Sequence, residues 1–206
     1  MKIIVIGASG RVGQELVNDL EKQGDEVVAA SRHPQDNAGA KLQLDLHAEA
    51  NEIAPQLDGF DAVYFTAGSR GKDNLGTDLD GAIKTMQAAE MAGVKRYIML
   101  SAAFALDRSK WNNPGIAAIK DYYIAKHYAD LYLVHESGLD YTILQPGTLQ
   151  ELPATGTTSF TPEAGSNTIP DVAAVLAELA HADNTIGKVI TMHAGQTPIA
   201  EAVKAI

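Results

Sequence analysis

A short apolar strand, Ile3-Ile4-Val5-Ile6, runs directly into Gly7-Ala8-Ser9-Gly10-Arg11-Val12-Gly13 and from there into a segment of helical period. Three glycines, each three residues after the last, make a turn tight enough for backbone to approach a ligand. The helix that follows offers free N–H groups and the positive end of its dipole. Such a turn is built for an anion, and its place between strand and helix is the context a dinucleotide pyrophosphate requires. The plainer alternative is a turn that only packs the helix on the strand. All seven residues, Gly7 to Gly13, are candidate cofactor contacts.

Apolar runs of strand length alternate along the rest of the chain with segments of helical period, the pattern of βαβ units around a buried parallel sheet. A helix is predicted over Arg11 to Gln23, with Val12, Leu16, Val17 and Leu20 on one face and Gly24 as its stop. Further strands are expected at Glu26–Ala30, Lys41–Leu44, Asp61–Phe65, Arg96–Leu100, Tyr141–Leu144 and Lys188–Met192. A polar loop with Pro34 and Gly39 separates the first two of these. Helices are expected at Ala48–Leu57, interrupted by Pro55, and at Asp78–Ala92, entered through Thr77-x-x-Asp80. A long helix falls within Ile116–Glu136, another runs from an Asp171 cap to His181, and a last one covers Pro198–Ile206. The expected fold is α/β, one Rossmann-type, doubly wound parallel sheet in a single domain over residues 1–206. Residues 148–170, rich in Thr, Gly and Ser, form its small substrate-side loop region, with at most a short strand near Thr158–Phe160.

Composition narrows the chemistry. Lys and Arg number 16 against 26 Asp and Glu, a net charge of −10 with no basic run, which argues against a nucleic-acid backbone as partner. There is no cysteine, so redox chemistry requires a bound organic cofactor. The longest nearly apolar run, Tyr97 to Leu106, falls well short of the roughly 18 residues that cross a bilayer. The N-terminus also lacks a signal-peptide core, so no membrane partner and a cytoplasmic location are expected. The six histidines show no metal-ligand spacing, so no metal is expected, and no Gly-x-Ser-x-Gly elbow is present.

The second strand ends Ala30-Ser31-Arg32-His33 without the acid that would hold a ribose 2′-hydroxyl. Arg32 carries a forked, permanent cation suited to a 2′-phosphate, with Ser31 beside it, so NADP(H) is favoured over NAD(H). The alternative for Arg32 is a solvated loop charge. Asp45-Leu46, after the third strand, is placed to hold the adenine, or Asp45 caps the next helix. Thr66-Ala67-Gly68, after the fourth strand, is placed to pass under the ribose.

Together these motifs resemble the atypical short-chain dehydrogenase/reductases, specifically the NAD(P)-binding, NmrA-like branch. The resemblance rests on Gly7 to Gly13, Ser31-Arg32-His33-Pro34, Leu44-Asp45-Leu46, Phe65 to Ser69 and Ala92 to Arg96 with Ser101. It continues through Tyr122-x-x-x-Lys126, Ser137 to Ile143, Pro170 to Ala173 and Gly195 to Ile199. It implies strand order 3-2-1-4-5-6-7, bound NADP(H) and reduction of a small carbonyl or related acceptor. It also implies that Pro146-Gly147 flanks the nicotinamide. One departure stands out: Gln145-Pro146-Gly147 replaces the Arg-Pro-Gly usual in that branch.

Tyr122 and Lys126 are one helical turn apart and project from one face. An ammonium beside the phenol is expected to lower its pKa and steady the phenolate while the tyrosine gives its proton to a carbonyl oxygen. Lys126 can also reach the nicotinamide ribose, and Ser101, after the fifth strand, can hydrogen-bond the substrate oxygen. Tyr-x-x-x-Lys also occurs by chance, and Tyr123 and His127 form a second such pair one residue along. Trp111 either lines the substrate site or covers the core. The leading function is an NADP(H)-dependent oxidoreductase acting on a small-molecule substrate. One alternative is a regulatory protein that binds NADP(H) without turnover, and another is a flavin or tetrapyrrole reductase that needs no tyrosine. The short Thr148–Ile169 stretch disfavours a sugar-nucleotide substrate.

Overall fold

The computed structural model describes residues 1–34 and 40–206, so Gly39 of the predicted loop lies outside the described residues. In chain order the elements are β1 (Lys2–Ile6), α1 (Arg11–Gln23), β2 (Glu26–Ser31), β3 (Ala40–Gln43) and α2 (Ala50–Ile53), the last tightening into a 3₁₀ turn at Ala54–Leu57 where Pro55 sits. β4 (Ala62–Phe65) leads to a π-helical segment, Asn74–Gly81, that continues as α3 (Ala82–Met91), followed by β5 (Arg96–Leu100). Then come α4 (Pro114–Ala117), α5 (Lys120–His135), β6 (Asp140–Pro146), β7 (Thr148–Gln150), β8 (Thr157–Ser159) and β9 (Ser166–Thr168). α6 (Ile169–Leu179), β10 (Lys188–Pro198) and α7 (Ile199–Lys204) end the chain.

The main sheet runs β3-β2-β1-β4-β5-β6-β10-β8. Every pairing is parallel except β10 with β8. This is the expected order with β10 as seventh strand, and the substrate-side loop adds β8 as an antiparallel eighth. β1 shows why its sequence is an unbroken apolar run: Ile3 and Val5 pack into the layer that holds α1 and α6, while Ile4 and Ile6 pack into the layer with α2 and α3. A strand covered on both faces has no polar alternation to display. The strand order reverses between β1 and β4, where open α/β sheets leave a crevice beyond their carboxyl ends.

Three predicted details differ. The helix after β4 is capped by Asp73, whose carboxylate accepts from the Gly76 N–H at 3.1 Å and the Thr77 hydroxyl at 2.7 Å, rather than entered through Thr77 and Asp80. Thr168, not Asp171, caps α6, accepting from the Asp171 N–H at 3.1 Å. The Asp171 carboxylate instead accepts from the backbone N–H groups of Thr155 and Gly156 and from the Thr155 hydroxyl, pinning the substrate-side loop onto α6. The long helix is divided at Ala118–Ile119, because Pro114 starts a separate turn capped by Asn113. β7 and β9, a parallel pair beyond the main sheet, had no sequence signature.

Asp25, just past α1, ties two distant segments together. Its carboxylate accepts from the N-terminal ammonium at 2.7 Å and from His181 Nε2, after α6, at 2.8 Å. Burial alone raises this carboxyl's pKa, but the two hydrogen bonds outweigh it and the net shift is downward. A carboxyl lowered in the folded state stabilises above its unfolded value and loses that contribution as pH falls through the folded value. Asp25→Asn should therefore cost roughly 1–3 kcal/mol at neutral pH. Denaturation profiles of the two proteins should converge only below about pH 4.

Candidate functional site

Beyond the carboxyl ends of β1, β2, β4 and β5 lies a cavity of about 1190 Å³. At one end it is walled by Ser31, Arg32 and Leu46, with Thr66, Ala67 and Gly68 along its floor. Gly7, Ser9, Gly10, Arg11 and Val12 form the middle, and Ser101, Tyr122, Lys126, Pro146 and Gly147 surround the other end. One cavity thus gathers most of the residues that the sequence motifs single out. Ala8, Gly13 and Asp45 are not on its wall.

Each exception has a local reason. Gly13 lies under the loop: a Cβ there would sit 2.4 Å from the Gly7 carbonyl oxygen and 2.9 Å from Ala8 Cα. Ala8 is itself buried in the core. Asp45 is exposed and turns back on its own chain, accepting from the His47 N–H at 3.0 Å, while Glu49 forms the capping box of α2. The carboxylate therefore neither lines the cavity nor caps that helix. Gly7 adopts φ +90° and presses against β4, where a Cβ would lie 2.4 Å from the Ala67 nitrogen.

Gly10 lines the cavity and opens α1. It is the N-cap of α1, no side chain caps that helix, and no acid occupies its first turn. The N–H groups of the first turn are left open beside cavity-lining Arg11 and Val12, the donor set a pyrophosphate takes. Arg11 itself pairs with Glu151 at 2.9 Å across the exposed rim. Arg70, Gly71 and Asn74 also line the cavity and were missed from the sequence, although Arg70 follows Thr66-Ala67-Gly68-Ser69 by a single step and adds a second arginine to the wall.

At the other end α5 presents Tyr122 and Lys126. Lys126 is buried, its ammonium donating to the Leu100 carbonyl at 3.2 Å and lying 6.0 Å from the Tyr122 ring centroid. Burial lowers the lysine pKa, against the pull of Asp78 and Asp130. The phenol differs from expectation: burial, with Asp78, Tyr123 and Asp130 adding to it, pushes the Tyr122 pKa up rather than down. The shift favours the neutral phenol.

The neighbouring pair does other work. Tyr123 Oη donates to the Ala103 carbonyl at 3.0 Å and His127 Nδ1 to that of Ala105 at 2.8 Å, clamping the loop after β5 onto α5. Trp111 packs edge-on against both rings, gives its indole N–H to the Phe104 carbonyl at 3.0 Å, and lies in a small core cluster rather than on the cavity wall. Phe104, which does line the cavity, adopts the left-handed φ of +63°.

Residues 7–183 match the family described as NAD(P)H-binding. The chain belongs to that family. Within it, the chain is 42% identical over 217 residues to the "uncharacterized sugar epimerase YhfK" of Bacillus subtilis, covering 99% of both. It is 37% identical to the "UPF0659 protein YMR090W" of Saccharomyces cerevisiae, covering 100% of this chain and 99% of the other. The crystal structure of the "oxidoreductase ylbE" of Lactococcus lactis superposes with a TM-score of 0.97 at 47% identity, covering 100% of this chain and 96% of that one. These relationships place the chain among the atypical short-chain dehydrogenase/reductases, as its motifs implied. Among the described residues no helix is long and apolar enough to cross a membrane.

In this NAD(P)H-binding chain the place of the expected arginine is taken by Gln145, which is buried and points away from the cavity wall. Its amide donates to Asp130 Oδ2 at 2.9 Å, the same oxygen that accepts from the Ser101 hydroxyl at 2.8 Å. The position thus does structural pairing. Burial raises Asp130 to about 6, opposed by the bonds from Ser101 and Gln145 and by the charge of Lys126.

Proposed function

We propose that the protein is an NADPH-dependent reductase of a small carbonyl or related acceptor, with Tyr122 as the proton donor. The observation that carries this reading is the convergence, in one cavity, of the uncapped α1 N-terminus and the Tyr122–Lys126 pair. The bound nicotinamide would supply the hydride. The first turn of α1 binds the pyrophosphate, Gly7 keeps the β1 turn close to β4, and Arg32, backed by Arg70, holds the 2′-phosphate. Tyr122 Oη carries the proton that passes to the acceptor oxygen. Lys126, buried beneath it, orients the ribose and returns positive charge to a site that also holds Asp78 and Asp130. The oxidoreductase name of the Lactococcus relative agrees with this. The sugar epimerase name of the Bacillus relative fits less well, because between β6 and α6 the chain adds only the short β7, β8 and β9 with their loops, too little to enclose a second nucleotide.

Fluorescence titration with NADPH and NADH, then NADPH oxidation against aldehydes, ketones, quinones and flavins, tests the reading. Tight NADPH binding with acceptor-dependent oxidation is expected; tight binding without oxidation across the panel would favour the regulatory alternative. Arg32→Ala should weaken NADPH roughly tenfold to hundredfold, the range of a lost charge-assisted hydrogen bond. NADH should change little. Equal losses for both nucleotides would remove Arg32 from the 2′-phosphate.

A further inference from the structure

A serine hydroxyl has one proton to donate and two lone pairs with which to accept. Ser101 lines the reacting end of the cavity, yet its proton is already directed inward, to Asp130 Oδ2. Asp130 is fully buried on α5, and Gln145 from β6 donates to the same oxygen. Two donors converging on one oxygen fix the carboxylate, while Oδ1 has no hydrogen-bond partner. The charged and titratable groups around Asp130 are Lys126 and Tyr122 on α5 and Asp78 on the π-helical segment, and none of them bonds Oδ2. A proton taken up by Asp130 goes to the open Oδ1, which leaves Oδ2 accepting from both partners. Ser101 therefore keeps its orientation in either charge state.

We propose that Asp130 is a positioning residue that locks Ser101 as a hydrogen-bond acceptor toward the cavity, so that the substrate seated there brings its own N–H or O–H donor beside the reducible group. This deepens the reductase reading and rests on it for the place where the acceptor sits. A cyclic amide or a hydroxy ketone meets the requirement. A bare ketone or quinone oxygen would instead face a serine lone pair, leaving only Tyr122 and Lys126 as donors to it among the three motif residues. The expectation that Ser101 donates to the substrate oxygen is thereby reversed.

Isatin, a flat lactam with a ring N–H, and N-methylisatin, which lacks it, form a matched pair of probes. Titrated calorimetrically into NADP⁺-loaded protein, neither can be reduced, because the oxidised cofactor holds no hydride. Isatin should bind roughly tenfold more tightly than its methyl derivative. Ser101→Ala should shrink that ratio to the steric cost of the methyl group alone. Asp130→Asn should preserve it, since one amide oxygen can accept from both Ser101 and Gln145. Asp130→Leu, checked for folding by circular dichroism, should lose it by freeing the hydroxyl to rotate. An equal affinity for the two probes in the parent protein, or an unchanged ratio in Ser101→Ala, would overturn the proposal even if Asp130→Leu fails to fold. Absence of NADP⁺ binding would count against the reductase reading instead, and the same pair titrated into cofactor-free protein would still decide the role of Ser101.

Discussion

Tyr122→Phe should lower acceptor-dependent NADPH oxidation by roughly 10²- to 10⁴-fold, the usual contribution of a positioned general acid, and leave NADPH affinity unchanged. The ring stays: Tyr122 packs edge-on against Tyr123 with centroids 5.9 Å apart, and phenylalanine preserves that contact. Only the hydroxyl is lost. Because burial and the nearby carboxylates raise the phenol, the parent protein should show no alkaline loss of activity assignable to Tyr122 between about pH 6 and 9. A limb in that window that disappears in Tyr122→Phe would mean that the lysine lowers the phenol after all. Retention of full turnover by the variant would point to an acceptor that takes hydride without acid help, such as a flavin.

The contrast between what the sequence disclosed and what it hid follows the range of the forces involved. β1 and the glycine turn were legible because every constraint on them is local: a strand buried on both faces must be continuously apolar, and a turn at φ +90° must be glycine. The parallel sheet came from the alternation of elements, and its strand order from the family resemblance. Asp130 carried no such signal. It sits in a helix among tyrosines, and its meaning comes from Ser101 and Gln145, 29 and 15 residues away in the chain. Tyr123-x-x-x-His127 and Tyr122-x-x-x-Lys126 are equivalent as patterns. Only the position of the β5–α4 loop shows that the first clamps backbone carbonyls while both members of the second line the cavity. Asp73 and Thr168 displaced the predicted caps for a related reason. A capping side chain must precede its helix, and helix starts are blurred in sequence where the first turn is π-helical or begins with proline at its second residue.

The three glycines of the turn, equivalent in the sequence motif, should separate cleanly on substitution. In Gly13→Ala the new Cβ meets two backbone groups, the Gly7 carbonyl oxygen at 2.4 Å and Ala8 Cα at 2.9 Å, and neither can rotate away. The helix must move off the strand, at a cost near the upper end of overpacking, about 3 kcal/mol. For a chain of this size that corresponds to a fall in Tm on the order of 10 °C. Gly10→Ala should behave differently. Its φ of −75° and ψ of 163° suit any L-residue, and its Cβ would meet nothing closer than the Gly7 oxygen at 3.1 Å. The fold should survive with Tm little changed, but the methyl group would stand beside the open N–H groups of the first turn, and NADPH affinity should fall by at least about tenfold. Thermal denaturation and nucleotide titration of the two variants check both halves. If Gly10→Ala binds NADPH as the parent does, the pyrophosphate does not lie on the first turn of α1; if Gly13→Ala melts as the parent does, the approach of α1 to β1 is looser than 2.4 Å implies.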